Sequence, residues 1–364
     1  WILLILLLFT KVSYLFEPVW QFLAIVGLPI ILAGILYYLM NPTVDYLERK
    51  GIKRIYSIFG LFILVVGLIV WGVVVIIPKI QEQSMSFADN LPGYLTIIEN
   101  KVNEILSDPI FSQVQEQIEA SNEKLISSLT DIVQNLSRST IQNLGSFFGA
   151  VATIVLAVIT MPFILFYLLK DGRKLAPYFV KFLPTKMRQP SLVVLKEMND
   201  QVSSYIRGQL TVAFAVAVMF MIGFSIIGLD YAITLGIAAG FLNLIPYLGS
   251  FLAMIPAVFL GIVGGPVLLI QVLIVFVIEQ TIEGRLISPL VLGNELSIHP
   301  VTILLVLLTS GKLFGLVGVI LGIPVYAAAK VVITHVFEWY TRVSSLYEEE
   351  EPIPEAPPED TPEV

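Results

Sequence analysis

Two carboxylates one helical turn apart, Glu279 and Glu283, close a long apolar segment in the stretch Val277-Ile-Glu-Gln-Thr-Ile-Glu-Gly-Arg-Leu-Ile-Ser-Pro289. Four-residue spacing puts both on one face of a helix, where like charges in water repel by about 0.2–0.5 kcal/mol. Low dielectric raises that figure. A shared proton, a bound cation or Arg285 would relieve it, so the chemistry on offer is proton exchange, cation exchange or a paired structural role. Gln280 between them can hydrogen-bond a polar solute or a neighbouring helix. Arg207 and Gln209 open another apolar run, where the guanidinium can bind an anion or a hydroxylated solute, or snorkel to the interface. Asn243 lies inside a third apolar run beside Pro246 and Tyr247, where a buried amide must find partners.

These groups need spans to hold them. The chain has 364 residues, of which 57% are hydrophobic and 13% charged; soluble domains average about 25% charged residues. An all-α integral membrane protein follows. Runs long enough for the ~20 residues a crossing needs occur at Val19–Met40, Tyr56–Ile77, Leu144–Leu169, Leu210–Leu229 and Pro266–Ile282, with a weaker one at Trp1–Phe16 broken by Lys11. Tyr231–Val263 and Val301–Tyr340 exceed one crossing and are expected to fold back as hairpins, for about eight crossings with Pro/Gly-broken hairpins in the C-terminal half. No small-residue cleavage site follows the first run, so it reads as a span and not a cleaved signal. The chain starts at Trp1 without a methionine, which points to a few native residues preceding it.

Other chemistries find no residues. There is no cysteine, and His299 and His335 stand apart from any carboxylate cluster, so neither a metal site nor thiolate catalysis is expected. Ser310-Gly311-Lys312-Leu313 lacks the first glycine and the Ser/Thr of a phosphate-binding loop. No nucleophile–base set appears. An enzyme, a cofactor and a nucleic-acid partner are therefore not expected.

Basic residues in short loops orient the chain. Arg49, Lys50, Lys53 and Arg54 mark one cytoplasmic loop; Lys170, Arg173, Lys174, Lys181, Lys186 and Arg188 mark another. In the insert 78–143 acids outnumber Lys79, Lys101, Lys124 and Arg138, so it belongs outside and both termini inside. Within it Ile98, Val102 and Ile105, then Ile118, Leu125, Leu129, Ile132 and Leu136, recur at helical spacing. Asn90-Leu-Pro-Gly93 marks a turn and Asp108-Pro109 a break. The expected organisation is a transmembrane scaffold over 1–78, an external helical insert over 79–143, a fourth span over 144–169 and a cytoplasmic amphipathic segment over 170–207. A transport part with hairpins follows over 208–340, then a disordered acidic cytoplasmic tail over 341–364. Within the amphipathic segment, Met187–Tyr205 reads as a helix on the membrane surface. The tail carries four consecutive glutamates and five prolines.

Asn243-Leu-Ile-Pro-Tyr247 and Leu321-Gly-Ile-Pro-Val-Tyr326 echo each other, each setting Ile-Pro and a tyrosine in an apolar tract. Paired broken segments of this kind point to a transporter site. Pro246 and Gly249 would turn the first hairpin, Gly322 and Pro324 the second. Lys312 falls in an expected turn at Thr309–Gly315, Asp230 caps a span end, and His299-Pro300 starts a helix.

Several strings occur in order between Tyr205 and Lys330: Tyr205-Ile-Arg-Gly-Gln209, Asn243-Leu-Ile-Pro-Tyr-Leu-Gly249, Glu279-Gln-x-x-Glu-Gly284, Ser288-Pro-Leu-Val-Leu-Gly-Asn294, His299-Pro300, and Gly315-Leu-Val-Gly318 running into Gly322-Ile-Pro324. Together they resemble the autoinducer-2 exporter family of bacterial membrane proteins. The resemblance implies an eight-crossing secondary transporter that assembles as a homo-oligomer, with a pentamer favoured. Its members are linked to export of the quorum-sensing signal autoinducer-2, and others to sodium/proton exchange. The expected function is export of a small polar solute by alternating access, with a monovalent cation/proton antiporter and a non-transporting membrane scaffold as rivals. The expected partners are that solute or the cation and proton, the lipid bilayer and further copies of the chain.

The orientation can be checked directly. A cysteine at Lys181 is expected to be shielded from an impermeant thiol reagent in whole cells, and one at Ser121 to label freely. Labelling of both from outside would overturn the orientation.

Overall fold

The computed structural model describes residues 17–106, 159–246, 249–292 and 298–344, and every described element is helical. Trp1–Phe16, the external insert beyond Leu106, the part of the expected fourth span before residue 159, Tyr247 and the acidic tail beyond Ser344 lie outside the described residues. The chain divides into two compact units, one formed by Trp1–Phe179 with Ser203–Ser297 and one by Val180–Val202 with Ile298–Val364.

In the first unit, α1 (Glu17–Arg49) turns sharply into α2 (Arg54–Leu106). Helix α2 has 53 residues, about 80 Å of helix at ~1.5 Å per residue, well over twice the ~30 Å hydrocarbon thickness. Its second half must therefore project beyond the span. The turn expected at Asn90–Gly93 does not form: α2 runs through both Pro78 and Pro92. Tertiary contacts override the local signal, because the Asn90 amide is engaged by Ser86 and Tyr231. Helix α3, over 159–171, packs against α1 and α2 through Ala33, Met40, Val44, Ile58, Leu165 and Leu169.

At the end of this packing sits an ion network. The Arg54 guanidinium donates to Asp45 at 2.7 Å, Glu48 at 2.9 Å, Asn41 at 2.8 Å and the Leu169 carbonyl at 2.6 Å. Arg173 reaches the same two acids at 2.8 and 3.1 Å. One arginine thereby ties α1, the start of α2 and the end of α3 together.

A 3₁₀ turn at Gly172–Lys174 leads into short α4 (Leu175–Val180), then α5 (Thr185–Ile226). The amphipathic stretch and the fifth span are one continuous helix of 42 residues, since nothing between Tyr205 and Gln209 forces a break. Val212, Val216, Phe220 and Phe224 of α5 form a four-residue-spaced buried stripe. Onto it pack α6 (Ala232–Leu242), α7 (Gly249–Gly264) and α8 (Pro266–Ile282). Helix α6 has 11 residues and α7 has 16, about 16 and 24 Å, so each falls short of a ~30 Å crossing and the pair doubles back. The close approach of α6 to α5 depends on Gly240, where an added Cβ would lie 2.6 Å from the Ala217 Cβ.

The second unit contains the first part of α5 and α10 (Pro300–Val343), which follows α9 (Ser288–Leu292) of the first unit. His299 caps α10, its Nδ1 accepting the Val301 N–H at 3.3 Å with Pro300 in the first turn. Helix α10 is itself a hairpin. Gly315 adopts φ 60°, ψ −143°, a conformation glycine tolerates, and Gly318 and Gly322 then pack back against Ser310. The reversal thus falls at Gly315, beside Lys312 and at the edge of the expected turn. Gly322 and Pro324 do not break the helix: Pro324 lies buried inside it, since its φ suits a helix and only one backbone bond is forfeited. In the same unit His335 Nε2 lies 3.5 Å from Glu197.

Gly240→Val is expected to overpack the α5–α6 contact by about 1–3 kcal/mol and lower the melting temperature of the detergent-solubilised protein. An unchanged melting curve would show that this contact is not tight.

Candidate functional site

Helix α8 ends with Glu279 and Gln280, and the backbone then widens into a π turn at Glu283–Ile287, closed by the Ser288 N–H on the Glu283 carbonyl. Such turns re-aim side chains and recur at functional sites. Helix α6 stops at Leu242, and Asn243 to Pro246 carry the chain toward Gly249, which starts α7. Gly249 sits so close to the Asn243 backbone that a Cβ there would collide with it. Fold and sequence thus converge at one place: the tip of the α6–α7 hairpin meets the end of α8.

The contacts at that place are polar and shielded. Asn243, 1% exposed, donates from Nδ2 to Glu283 Oε1 at 3.0 Å. The Ser250 hydroxyl is shared between Asn243 Oδ1 and Glu283 Oε2, both at 3.3 Å. Gln209 of α5 donates to the Asn243 carbonyl at 2.6 Å. Gln280 Nε2 stands between the two carboxylates, 3.0 Å from Glu279 Oε2 and 3.5 Å from Glu283 Oε2. Glu279 is 2% exposed, and its Oε1 is buried without a hydrogen-bond partner.

The cluster is therefore rich in oxygen acceptors and short of donors, with Gln209, Asn243, Ser250 and Glu279 buried and Gln280 and Glu283 half-buried. Two carboxylates sharing one amide away from bulk water favour a third party between them, either a proton or a small cation. Among the described residues no three His, Cys, Asp or Glu side chains converge to hold a metal ion. The donor set is two carboxylates with neutral amide and hydroxyl oxygens.

Glu279, Gln280, Glu283, Asn243 and Gln209 come together, while other expected site residues fall elsewhere. Arg207 bonds the Ser203 carbonyl on its own helix at 3.2 Å. Arg285 is exposed and forms no ion pair among the described residues, so it does not neutralise Glu283. Pro246 lies in the turn and Gly249 at the start of α7; Gly322 and Pro324 belong to the other unit. Ser250 stands out in the sequence only as a residue suited to a reversal; its four-residue offset from Pro246, facing Asn243 across the turn, is the available signal. The Arg54 network escapes sequence reasoning because Arg54 and Leu169 are distant along the chain.

Gln209→Leu keeps the side-chain volume but leaves the Asn243 carbonyl unpaired inside the protein, a loss of about 1–3 kcal/mol. A lowered melting temperature with normal membrane insertion is expected. Unchanged stability would mean that water reaches the tip.

The AI-2E family transporter family matches residues 3–338. YueF of Bacillus subtilis (strain 168), which carries a transport-protein name, is 39% identical over 329 residues, covering 90% of this chain and 89% of the relative. YrrI of the same organism, similarly named, is 30% identical over 342 residues, covering 92% and 93%. PerM of Escherichia coli (strain K12), which carries a permease name, is 27% identical over 313 residues, covering 84% and 86%. With five helices among the described residues long and apolar enough to span a bilayer and a family match along nearly its whole length, the chain belongs to the AI-2E family of multi-pass membrane transporters.

Proposed function

We propose that the protein is a secondary transporter that exports a small polar solute of the autoinducer-2 type by alternating access, with the α6–α7 tip and the end of α8 as its binding element. The observation that carries this reading is the largely buried polar cluster of Glu279, Gln280, Glu283, Asn243, Ser250 and Gln209. Its amides and hydroxyl match a hydroxylated solute, and its carboxylates supply the proton-coupling element. Tyr247, next to the turn, belongs to the same element in this reading. Access requires the tip to part from α8, since Asn243 and Glu279 are both closed off.

A second reading, monovalent cation/proton antiport, draws on one specific feature: the buried, unpartnered Glu279 Oε1 is an open oxygen donor. In either case we place the Arg54 network and both termini on the cytoplasmic side and residues 79–143 outside, following the basic loops. A homo-oligomer completes the reading; Ile63, Leu68, Trp71 and Val74 leave an apolar face of α2 exposed, suited to lipid or to another copy.

The test is flux in proteoliposomes, with neutral diols and sodium offered in turn and a proton gradient switched on and off. Wild type is expected to move a diol against its gradient when protons are supplied. Glu279→Gln, which keeps shape and removes the ionisable group, is expected to lower that flux at least tenfold with assembly intact. Normal flux per molecule in Glu279→Gln would make the pair structural. Sodium flux without diol flux would favour the antiporter, and no flux of any kind the scaffold.

A further inference from the structure

At the opposite end of the α6–α7 hairpin from Asn243, α2 and the start of α6 line an open polar recess of about 520 Å³. Sites for small ligands have volumes of about 300–1,000 Å³. One wall is a single face of α2, carrying Lys79, Glu82, Ser86, Asn90 and Tyr94 at intervals of three or four residues. The other is Asp230 and Tyr231. Among the described residues Tyr231 is the one non-glycine with positive φ, 62°, a conformation that costs an L-residue about 1–2 kcal/mol.

That turn aims the Tyr231 phenol at Tyr94 Oη (3.1 Å), Asn90 Nδ2 (3.2 Å) and Ser86 Oγ (3.4 Å). Behind it the Phe87 ring meets Tyr231 edge-on at 5.5 Å, and Phe87 and Tyr94 both pack on Phe259. A simple clasp between two helices would use these contacts and close the space. Here the space stays open, and Lys79, Glu82 and Asp230 have no hydrogen-bond or ion-pair partner among the described residues.

We propose that this recess binds a neutral, hydroxyl-rich solute of sugar size, independently of the tip cluster and of the transport reading. Two phenols and a serine hydroxyl each donate and accept, so they can exchange partners with vicinal hydroxyls as a carboxylate or an ammonium cannot. Tyr94 and Tyr231 are the aromatic residues of the lining, and both bring a hydroxyl to it. Glu82, Asp230 and Lys79 put both signs at the rim, with a net charge of −1 that disfavours an anion, and a neutral solute enters without the cost of stripping water from a charge. The occupant would touch the residue that starts α6. That helix is held nearby by Gln83 Oε1, which accepts from both the Thr234 N–H (3.1 Å) and its hydroxyl (2.6 Å).

Saturation-transfer NMR on the full chain in lipid nanodiscs tests this with D-ribose, ribose 5-phosphate and choline as probes. Ribose is expected to show saturable binding and the two charged probes none. Tyr94→Phe keeps the ring packing and removes only the hydroxyl, so it should weaken ribose binding at least fivefold with an unchanged melting temperature; Ser86→Ala serves as an independent second variant. Absence of ribose binding, equal binding of a charged probe, or full affinity in both variants would each overturn the proposal.

Discussion

A helix that stops partway through an apolar layer leaves backbone groups that no water can satisfy, and each unsatisfied group there costs several kcal/mol. Asn243 is where this chain meets that constraint. Its carbonyl, freed at the end of α6, is taken by Gln209 from α5, and its side chain bridges to Glu283 of the turn after α8 and to Ser250 of α7. Four segments are thus tied through one residue. The glycine at 249 is dictated by the same point, because the returning chain presses against the Asn243 backbone.

The carboxylates inherit their setting from this tie. Glu283 has donors from Asn243 and Ser250, whereas Glu279 has only Gln280 on one oxygen. Equal side chains four residues apart on one helix are therefore unequal in environment. The asymmetry is one of hydrogen bonding: Glu283 is held by two neutral donors, and Glu279 leaves one oxygen open. Separation of the tip from α8 would remove the Glu283 donors, so conformation and carboxylate charge are linked through the same hydrogen bonds.

Much of this arrangement is legible in the amino-acid sequence. The apolar run Pro266–Ile282 matches α8 residue for residue, and four-residue spacing puts Glu279 and Glu283 on one face. Periodicity and segment length are local properties. Where the outcome depends on distant contacts, local signals mislead. Asn90-Leu-Pro-Gly93 has the composition of a turn, but Tyr231, far along the chain, takes the Asn90 amide and the helix continues. The Ile-Pro echo suggests a break at Pro324, yet a proline can sit within a helix, whereas the reversal needs the positive φ that Gly315 supplies. Arg207 and Gln209 look equivalent as polar residues at a span entrance; two positions on a helix amount to about 200° of rotation, and only Gln209 faces the tip.

The hairpin is held at both ends, by different chemistry. At the tip the bonds are amide, hydroxyl and carboxylate contacts among buried and half-buried groups. At the base, α2 grips both arms: Gln83 satisfies the first turn of α6, and the Lys101 ammonium donates to the Ile262 and Val263 carbonyls at the end of α7, at 2.8 and 3.0 Å. Each grip uses the sign that the helix end demands, an acceptor at the amino end and a cation at the carboxyl end. These base contacts are partly solvent-exposed, so they are individually weak. Two of them on one continuous helix nevertheless fix where the arms start and finish. Parting of the tip from α8 would break the bonds of Asn243 and Ser250 to Glu283, whereas the two base contacts on α2 would be kept. The length of α2, far beyond what a crossing needs, is what brings both Gln83 and Lys101 of one helix to the two arms of the hairpin.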